Sequence, residues 1–313
     1  MSETLTGTHP LGASQRARVA LPFMVCTLVW SSTWLVIRYQ LGIVPPSWSV
    51  AYRFLIACIA MMIYARATGA RLKLTSREHG LAALYGIAQF CLNYYFVYLG
   101  ERTVTSGLVA VAFALLVVPN ALFAWIFLKQ GVSRVFLLGS GVAMVGLLLL
   151  FSHELAAAPA SHSGILLGIG WSLAAVLFSS AANVMQASKQ AAAIPVPTLI
   201  AWGMAWGSLF NCGGAFLMDG RPVLDPHPSY WLGTLYLALI GSALAFSCYF
   251  AVIRAIGPGR AAYTSVLSPV LAMLLSTVFE GYRWSAESAV GGLLSIAGLV
   301  VALQARQAAK PAR

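Results

Sequence analysis

Acidic residues are scarce in this sequence: only 8 Asp and Glu occur among 313 residues, and all charged residues together make up 9%. Soluble domains carry about 25% charged residues, so the composition excludes an ordinary soluble fold and indicates an integral membrane protein. The formal net charge of +11 does not indicate nucleic-acid binding, because the positive residues are spread over short segments between apolar runs. No nucleic-acid partner is therefore expected.

Paired cysteines and catalytic motifs are also missing. The five cysteines lie in apolar segments without CxxC spacing, so neither a disulfide framework nor a metal site is predicted (Cys26, Cys58, Cys91, Cys212, Cys248). The sequence lacks GxxxxGK followed by Ser or Thr, which excludes direct use of ATP by this chain. HExxH and GxSxG are absent as well. We therefore predict no catalytic residue, no cofactor and no enzymatic activity.

Side chains that could relay protons are not apparent within the apolar runs. All five histidines lie in predicted tails or loops or, for His79, at the first position of an apolar run (His9, His79, His153, His162, His227). Glu101, Arg102 and Glu280 lie at predicted helix ends, where water can reach them, and solvated helix ends are the favoured interpretation. The sequence therefore does not predict proton coupling.

Ten apolar runs make up most of the chain. A spanning helix needs roughly 20 apolar residues, and in hydrocarbon every backbone polar group must be paired within its segment, which favours helices. The runs cover residues 19–39, 47–67, 79–99, 105–128, 133–152, 163–187, 196–218, 229–253, 261–279 and 285–304. We predict ten transmembrane helices and no separate soluble domain.

Lysine and arginine residues are distributed unevenly between the predicted loops. If the amino terminus is cytoplasmic, fourteen of the 19 lie in inner segments, four lie in outer segments, and Arg53 lies within the second helix. Cytoplasmic loops carry the excess of positive residues. The distribution therefore predicts that the amino terminus and, with an even number of helices, the carboxyl terminus lie in the cytoplasm.

Sequence markers recur at an offset of 150 to 152 residues. The pairs are Pro45 and Pro46 with Pro195 and Pro197, Leu84-Tyr85 with Leu235-Tyr236, Pro119 with Pro269, and Gly139 and Gly146 with Gly291 and Gly298. Each half would hold five helices, and because five is odd the second half would enter the membrane from the opposite side. We predict an all-α integral membrane protein with ten transmembrane helices arranged as two inverted five-helix repeats, 19–155 and 156–305, between cytoplasmic tails 1–18 and 306–313. This architecture is typical of secondary transporters, which bind substrate near the midplane.

Several stretches resemble a known family. They are VWSSTWLVIRY, PPSWSVAYRFL and ERTVTSGLVAVAFALLVVPNALFAWIFL in the first half, and IGPGRAAYTSVLSPVLAMLLSTVFEG and GGLLSIAGLVVAL in the second. These stretches resemble the EamA-type exporters of the drug/metabolite transporter superfamily, and the resemblance extends over nearly the whole chain. It implies export of small metabolites. The chain departs from the family at Lys129-Gln130 and Glu280-Gly281, where a Gly-Glu pair is common, and at Val117, where a proline is usual.

Polar and aromatic residues within the predicted helices are candidates for a substrate cavity, because polar groups in a membrane face the bundle interior or water. Hydrogen bonds between helices, or aromatic belts at the membrane surface, are the alternative interpretations. The candidates are Trp30, Trp34, Tyr85, Gln89, Asn93, Trp171, Ser179, Asn183, Tyr263 and Ser265.

Two prolines are predicted to act as hinges. Pro119 and Pro269 interrupt the fourth and ninth helices, and each deprives the carbonyl four residues earlier of its donor. For Pro119 this carbonyl belongs to Leu115, which is expected to need a donor from another helix or from water. A static kink is the alternative. Arg53 is expected to find a partner or to reach towards the membrane surface.

These features predict a secondary transporter of the inner membrane that exports small metabolites, such as amino acids or related amphipathic compounds, by alternating access. An importer or a drug-efflux protein of the same fold is the nearest alternative, and a membrane enzyme or signalling scaffold is less favoured. The expected partners are a small-molecule substrate and the lipid bilayer, with the protein as a monomer or homodimer.

Overall fold

The computed structural model describes residues 13–129, 131–157, 162–249, 251–252 and 264–308, and all regular structure in these residues is helical. Its ten long helices are α1 (Ala13–Gln40), α2 (Pro46–Ala67), α3 (Ser76–Glu101), α4 (Ser106–Leu128), α5 (Arg134–Ala157), α6 (His162–Gln186), α7 (Val196–Asp219), α8 (Pro228–Tyr249), α9 (Thr264–Phe279) and α10 (Ala286–Ala308). A short helix, Lys189–Ala192, precedes α7. Each predicted run overlaps one of these helices. The predicted ends at 253 and 261–263 lie outside the described residues.

Seven of these helices, α1 to α6 and α8, are long and apolar enough to cross a membrane. The 24 residues of α7 would span about 36 Å, but its glycines, tryptophans and Asn211 make it less apolar. In α9 and α10 the apolar parts are shorter, Leu267–Phe279 and Ala286–Ala302. Large apolar side chains such as Leu138, Leu217 and Val278 are strongly exposed on the outside of the bundle. The prediction of an all-helical, multi-pass membrane protein is confirmed.

Helices of the first half pack against helices of the second half in a regular way. Three pairs join each helix to the one five places later: α5 with α10, α2 with α7, and α4 with α9. Two further contacts, α3 with α6 and α4 with α6, have counterparts in α8 with α1 and α9 with α1. Exchanging each helix for the one five places away therefore leaves these contacts unchanged.

Glycine pairs bring α5 and α10 into backbone contact. A Cβ added at Gly139 would lie 2.7 Å from the carbonyl oxygen of Gly298, and one added at Gly291 would lie 2.7 Å from that of Gly146. Small residues allow this approach in membranes, where packing rather than hydrophobic burial drives helix association. The four glycines that marked the sequence repeat are thus the residues that meet between these helices.

The third helix of each half contains a π-helical stretch, Ile87–Leu92 in α3 and Tyr236–Leu244 in α8. Within the second stretch, the Ser242 hydroxyl donates to the carbonyl of Leu237, five residues earlier, at 2.9 Å. Such stretches are rare and frequently lie at functional sites. The apolar periodicity of the sequence did not predict them, although both fall at corresponding positions of the two halves.

The fourth helix is interrupted just before Pro119. The backbone N–H groups of Leu115 and Leu116 donate to carbonyls three residues earlier, and the helix resumes at Val117. The carbonyl of Leu115 accepts from the N–H of Val118 at 2.8 Å. The expectation that this carbonyl needs a donor from another helix or from water is therefore wrong, because the tightened turn supplies one locally. By contrast, α9 continues through Pro269.

The two ends of the bundle are named after Gln40, the last residue of α1, and after Arg71, in the loop between α2 and α3. At the Gln40 end, the Tyr52 hydroxyl donates to the carbonyl of Val223 at 3.0 Å. At the Arg71 end, the Thr198 hydroxyl donates to the carbonyl of Arg71 at 2.7 Å. These bonds hold α2 and α7 together at both ends of the pair.

Glu101 at the Gln40 end differs from the expectation of a solvated helix end, because its exposed fraction is 0%. The last turn of α3 is covered by α6, which approaches closely where glycines remove the side chains. A Cβ at Gly100 would lie 2.7 Å from the Ser172 hydroxyl, and one at Gly168 would lie 3.2 Å from the carbonyl of Gly100. The expectation that water reaches this carboxylate is therefore wrong.

Candidate functional site

A cavity of about 180 Å³ lies between the two halves of the chain. Its wall is formed by α1, α3 and α4 of the first half and by α6, α8 and α9 of the second. The lining residues nearest the Gln40 end, Ile37 and Val97, are buried, and towards the Arg71 end the cavity extends to Asn183, Tyr249 and Thr264. An apolar cavity of about 150 Å³ can hold benzene, so this one has room for a small organic molecule.

Two tryptophans of α1 form an aromatic face of the cavity. The Trp30 ring packs at 5.5 Å from Phe246 and 5.0 Å from Tyr249, and its Nε1–H donates to the carbonyl of Gly241 at 3.2 Å. Trp34 packs at 4.9 Å from Phe113. The buried Nε1–H of Trp34 has no acceptor among the described residues. Trp34 lines the cavity, so this unpaired donor is a candidate to bond a ligand that displaces the groups covering it.

Gln89 and Asn93 of α3 form a polar part of the wall. The Asn93 Nδ2 group donates to the carbonyl of Gln89 at 3.3 Å. The amide oxygen of Asn93 therefore points away from that carbonyl. That oxygen is buried and receives no hydrogen bond from the described residues. Asn93 and Trp34 line the same cavity, so one unpaired acceptor and one unpaired donor belong to residues of its wall.

The remaining polar wall comes from α4, α6 and α9. Asn183 of α6 donates to the Oδ1 atom of Asn120 in α4 at 3.4 Å. Ser179, Ser265 and Pro269 also line the cavity. The hydroxyl of Ser268 receives a hydrogen bond from Ser31 of α1 at 3.3 Å. The wall thus contains hydroxyl and amide groups as well as aromatic rings.

Seven of the ten predicted cavity residues line this cavity: Trp30, Trp34, Gln89, Asn93, Ser179, Asn183 and Ser265. Tyr85 and Trp171 do not. Tyr85 lies under Gly203 of α7 and accepts a hydrogen bond from Gln186 at 3.4 Å. Trp171 stacks on Phe96 with ring centroids 5.3 Å apart. Tyr263 lies outside the described residues.

Sequence reasoning missed several lining residues. Asn120, Phe113, Ser268, Phe246 and Tyr249 all belong to the wall. Asn120 and Ser268 each adjoin one of the two mid-helix prolines, and a polar side chain in an apolar run was a usable signal for both. The aromatic residues offered no signal of this kind, because a phenylalanine in an apolar helix is equally expected in contact with lipid or with the core.

The described lining residues carry no formal charge, and a buried cation lies just behind them. The guanidinium of Arg53 lies 4.3 Å from the ring centroid of Tyr94, a lining residue, and its Nε donates to the Ser242 hydroxyl at 3.2 Å. Arg53 is about 1% exposed, so it does not reach the surface. The ion pairs among the described residues do not include it. A guanidinium stacks well on an aromatic face, which explains how the bundle holds this charge.

Comparison with known sequences identifies the family. The sequence model of the EamA-like transporter family matches twice, over residues 18–152 and 166–304. The chain belongs to the EamA-like transporter family. The resemblance to the drug/metabolite transporter superfamily, noted from the sequence, is thereby confirmed.

Several relatives of this EamA-like protein match it over most of their length. It is 24% identical to the protein PagO of Salmonella typhimurium over 93% of this chain and 95% of PagO. It is 28% identical to the inner membrane transporter YedA of Escherichia coli over 81% and 80%. A probable amino-acid metabolite efflux pump of Salmonella typhimurium is 25% identical over 89% and 92%. One crystal structure superposes with a TM-score of 0.67 at 20% identity, covering 94% of this chain and 99% of that chain, which supports the fold alone.

Proposed function

We propose that this EamA-like protein is a secondary transporter that exports small amphipathic metabolites, such as amino acids or related compounds, by alternating access. The observation that carries the proposal is the composition of the cavity wall. The helices α1, α3 and α4 form one side, and α6, α8 and α9, each five places later, form the other. A site shared by two equivalent sets of helices can face either side of the membrane as the two sets exchange conformations.

We further propose that ten transmembrane helices form two inverted five-helix repeats, 19–155 and 156–305. Support comes from the helix contacts that persist when each helix is exchanged for the one five places away. The matching π-helical stretches in α3 and α8 also support it, as does the double match to one family. The odd number of helices in each repeat would then reverse the second repeat in the membrane.

The chemistry of the wall favours a zwitterionic or neutral substrate. A substrate with a net charge would lose hydration in this cavity without meeting an opposite charge on its wall. The free Trp34 donor suits a carboxylate or carbonyl, and the free Asn93 oxygen suits an ammonium or hydroxyl group. The positive charge of Arg53 behind Tyr94 would favour the carboxylate end. An amino acid with an apolar side chain combines these features with the aromatic face.

For localisation we propose the inner membrane, with both termini in the cytoplasm. The excess of Lys and Arg in the predicted inner loops supports this orientation, and the relative YedA is named an inner membrane transporter. In that orientation the Arg71 end faces the cytoplasm, and the cavity extends towards it. The proposed partners are the substrate and the bilayer, with the protein as a monomer or homodimer.

Transport by the purified protein in proteoliposomes tests the proposal. Vesicles are loaded with an unlabelled amino acid from a panel, and entry of the same labelled amino acid is followed. This exchange needs no energy coupling and detects substrates of an exporter, an importer or a drug-efflux protein. At least one amphipathic amino acid without a net charge should exchange, whereas an amino acid with a net charge, such as lysine, should not.

Cavity variants show whether exchange occurs through this site. Asn93→Leu and Trp34→Phe should each reduce exchange about tenfold or more, since losing a hydrogen bond to a charged group costs about 1.5–3 kcal/mol. Tyr85→Phe is the matched control, because its hydroxyl lies outside the cavity, and it should exchange at the parent rate. Parent-like exchange in both cavity variants, or exchange of charged amino acids alone, would contradict the assignment.

A further inference from the structure

Glu101, the last residue of α3, is an acidic side chain that neither the cavity nor the proposed transport path uses. Its exposed fraction is 0%, and neither carboxylate oxygen receives a hydrogen bond from the described residues. An ionised carboxylate in such a place loses its hydration without gaining donors, whereas the protonated form has no charge to desolvate. The surroundings therefore favour the neutral acid.

The groups that face Glu101 come from several helices. Those near enough to act on its charge are Arg38 of α1, Arg53 of α2, Glu280 after α9 and Tyr98 of α3. Arg102 is the next residue in the chain. From α6, Gly168 and Ser172 pack against the same turn, and α4 begins with Ser106.

Neither arginine neutralises Glu101 directly. Arg38 donates from Nη1 to the backbone carbonyl of Glu101, and its Nε lies 3.7 Å from the carboxylate of Glu280. Arg53 is engaged with Ser242 and Tyr94. Of these two acids, Glu280 therefore has an ion-pair partner, and the carboxylate of Glu101 has none among the described residues.

Contacts of Arg38, Ser106 and Glu280 hold the helices together at the Gln40 end of the bundle. Glu280 accepts from the hydroxyl of Ser106 at 2.5 Å and from its backbone N–H at 3.3 Å, which joins the end of α9 to the start of α4. Arg38 adds α1 and the last turn of α3. Val97, which lines the cavity, lies one helical turn before Glu101. Separating these helices would open the cavity at this end and bring water to Glu101.

We propose that Glu101 is a proton-binding site of this closure: it holds a proton while the Gln40 end is closed and releases it to water when that end opens. The proposal rests on the alternating-access function proposed above. Because the closed form then binds one more proton than the open form, acid stabilises the closed form. The ratio of open to closed protein should rise with pH by up to roughly tenfold per pH unit.

A reporter cysteine tests the proposal without any substrate. Val104 is buried at about 4% exposure, between Glu101 and Ser106. Val104→Cys, in full-length protein whose five native cysteines are replaced by Ser or Ala, is reconstituted in proteoliposomes. Its rate of modification by a membrane-impermeant thiol reagent is measured from pH 5.5 to 8.5. Glu101→Gln is made in the same cysteine-substituted protein and imitates the protonated side chain. Dividing by its rate removes the pH dependence that comes from ionisation of the reporter thiol.

We expect the ratio of the rate with Glu101 to the rate with Glu101→Gln to rise with pH, with Glu101→Gln remaining slow. Glu280→Gln is the matched control at the neighbouring acid. It should raise modification at every pH, because its contacts to Arg38 and Ser106 weaken, and it should keep the pH dependence. Equal pH profiles with and without Glu101, or a flat ratio, would overturn the proposal.

Two further outcomes also decide the matter. A Glu101→Gln variant that failed to fold would contradict the proposal, since the neutral side chain is the proposed form of the folded, closed state. If no substrate exchanges in the transport assay, the proposed function fails, but the modification experiment still reports whether opening of this end is linked to Glu101.

Discussion

Backbone contact between α5 and α10 allows a quantitative test of the packing. In a Gly139→Ala variant the new Cβ would lie 2.6 Å from the backbone nitrogen of Ala302 and 2.7 Å from the carbonyl oxygen of Gly298, whereas ordinary contacts begin near 3.4 Å. The helices must therefore separate by about 0.8 Å at this point. Overpacking of this kind costs about 1–3 kcal/mol. We expect Gly139→Ala to lower the free energy of unfolding by that amount.

Gly141, two residues along the same helix, is the matched control. A Cβ at this position would meet nothing within 4 Å, and alanine is a better helix former than glycine by about 1 kcal/mol. Thermal unfolding in detergent can be followed by the fluorescence of the nine tryptophans. In proteins of 150–250 residues, 1 kcal/mol shifts Tm by about 2–4 °C, so Gly139→Ala should melt several degrees below Gly141→Ala. Equal melting temperatures would refute the proposed backbone contact.

The pair Gly139 and Gly298 also predicts non-additivity. A Cβ at Gly298 would lie 2.5 Å from the carbonyl oxygen of Gly139, so both substitutions require the same separation of the helices. Once one methyl group has moved them apart, the second should cost less. The double variant should therefore lose clearly less stability than the sum of the two single variants, and strict additivity would mean that the two sites do not share a contact.

Three further predictions follow from other parts of the molecule. Arg53→Met should melt at or above the parent temperature, because an apolar side chain of similar size avoids burying a charge that has no ion-pair partner among the described residues; a clear loss of stability would show that the charge is needed for folding. Pro119→Ala and Pro269→Ala should keep the parent stability but exchange substrate several-fold more slowly, because a restored N–H can bond the carbonyl four residues earlier and stiffen the helix; parent-like exchange in both would leave the prolines as static kinks. Cysteines introduced at 70 and at 222 should react with an impermeant reagent from opposite sides of the membrane, and reaction of both from one side would contradict the topology.

The neighbourhoods of Glu101 and Arg53 show what the sequence alone could not specify. Glu101 was expected at a solvated helix end, which is wrong because it is buried. Arg53 was expected to find a partner or to reach towards the membrane surface, and in the structure it is buried with Ser242 and Tyr94 as partners. Gly100 and Gly168 let α6 cover the last turn of α3, and the ring of Tyr94 covers the guanidinium of Arg53. Gly168 lies 67 residues from Glu101 and Tyr94 lies 41 residues from Arg53, so hydropathy near Glu101 or Arg53 contains no information about these two neighbours.

The candidate site also shows which features the local sequence predicts and which it does not. Gln89, Asn93, Ser179 and Asn183 were identified because a polar side chain in an apolar run must find water or a partner, which is a local argument. Tyr85 satisfied the same argument with a partner outside the cavity, Gln186 of α6. The type of residue therefore predicted that each of these side chains faces the interior, but not which part of the interior it faces.

By itself, the sequence determined the helical membrane class, the approximate position of each helix and the family, because helix length and backbone pairing in hydrocarbon depend on local composition. It also contained the glycine pattern along which α5 and α10 meet. Only the tertiary structure decided which six helices enclose the cavity and which polar atoms stay free within it. It alone decided that Glu101 is buried and that α3 and α8 contain π-helical stretches. These features depend on the approach of helices that are distant in sequence, where close packing selects among side chains that are locally equivalent.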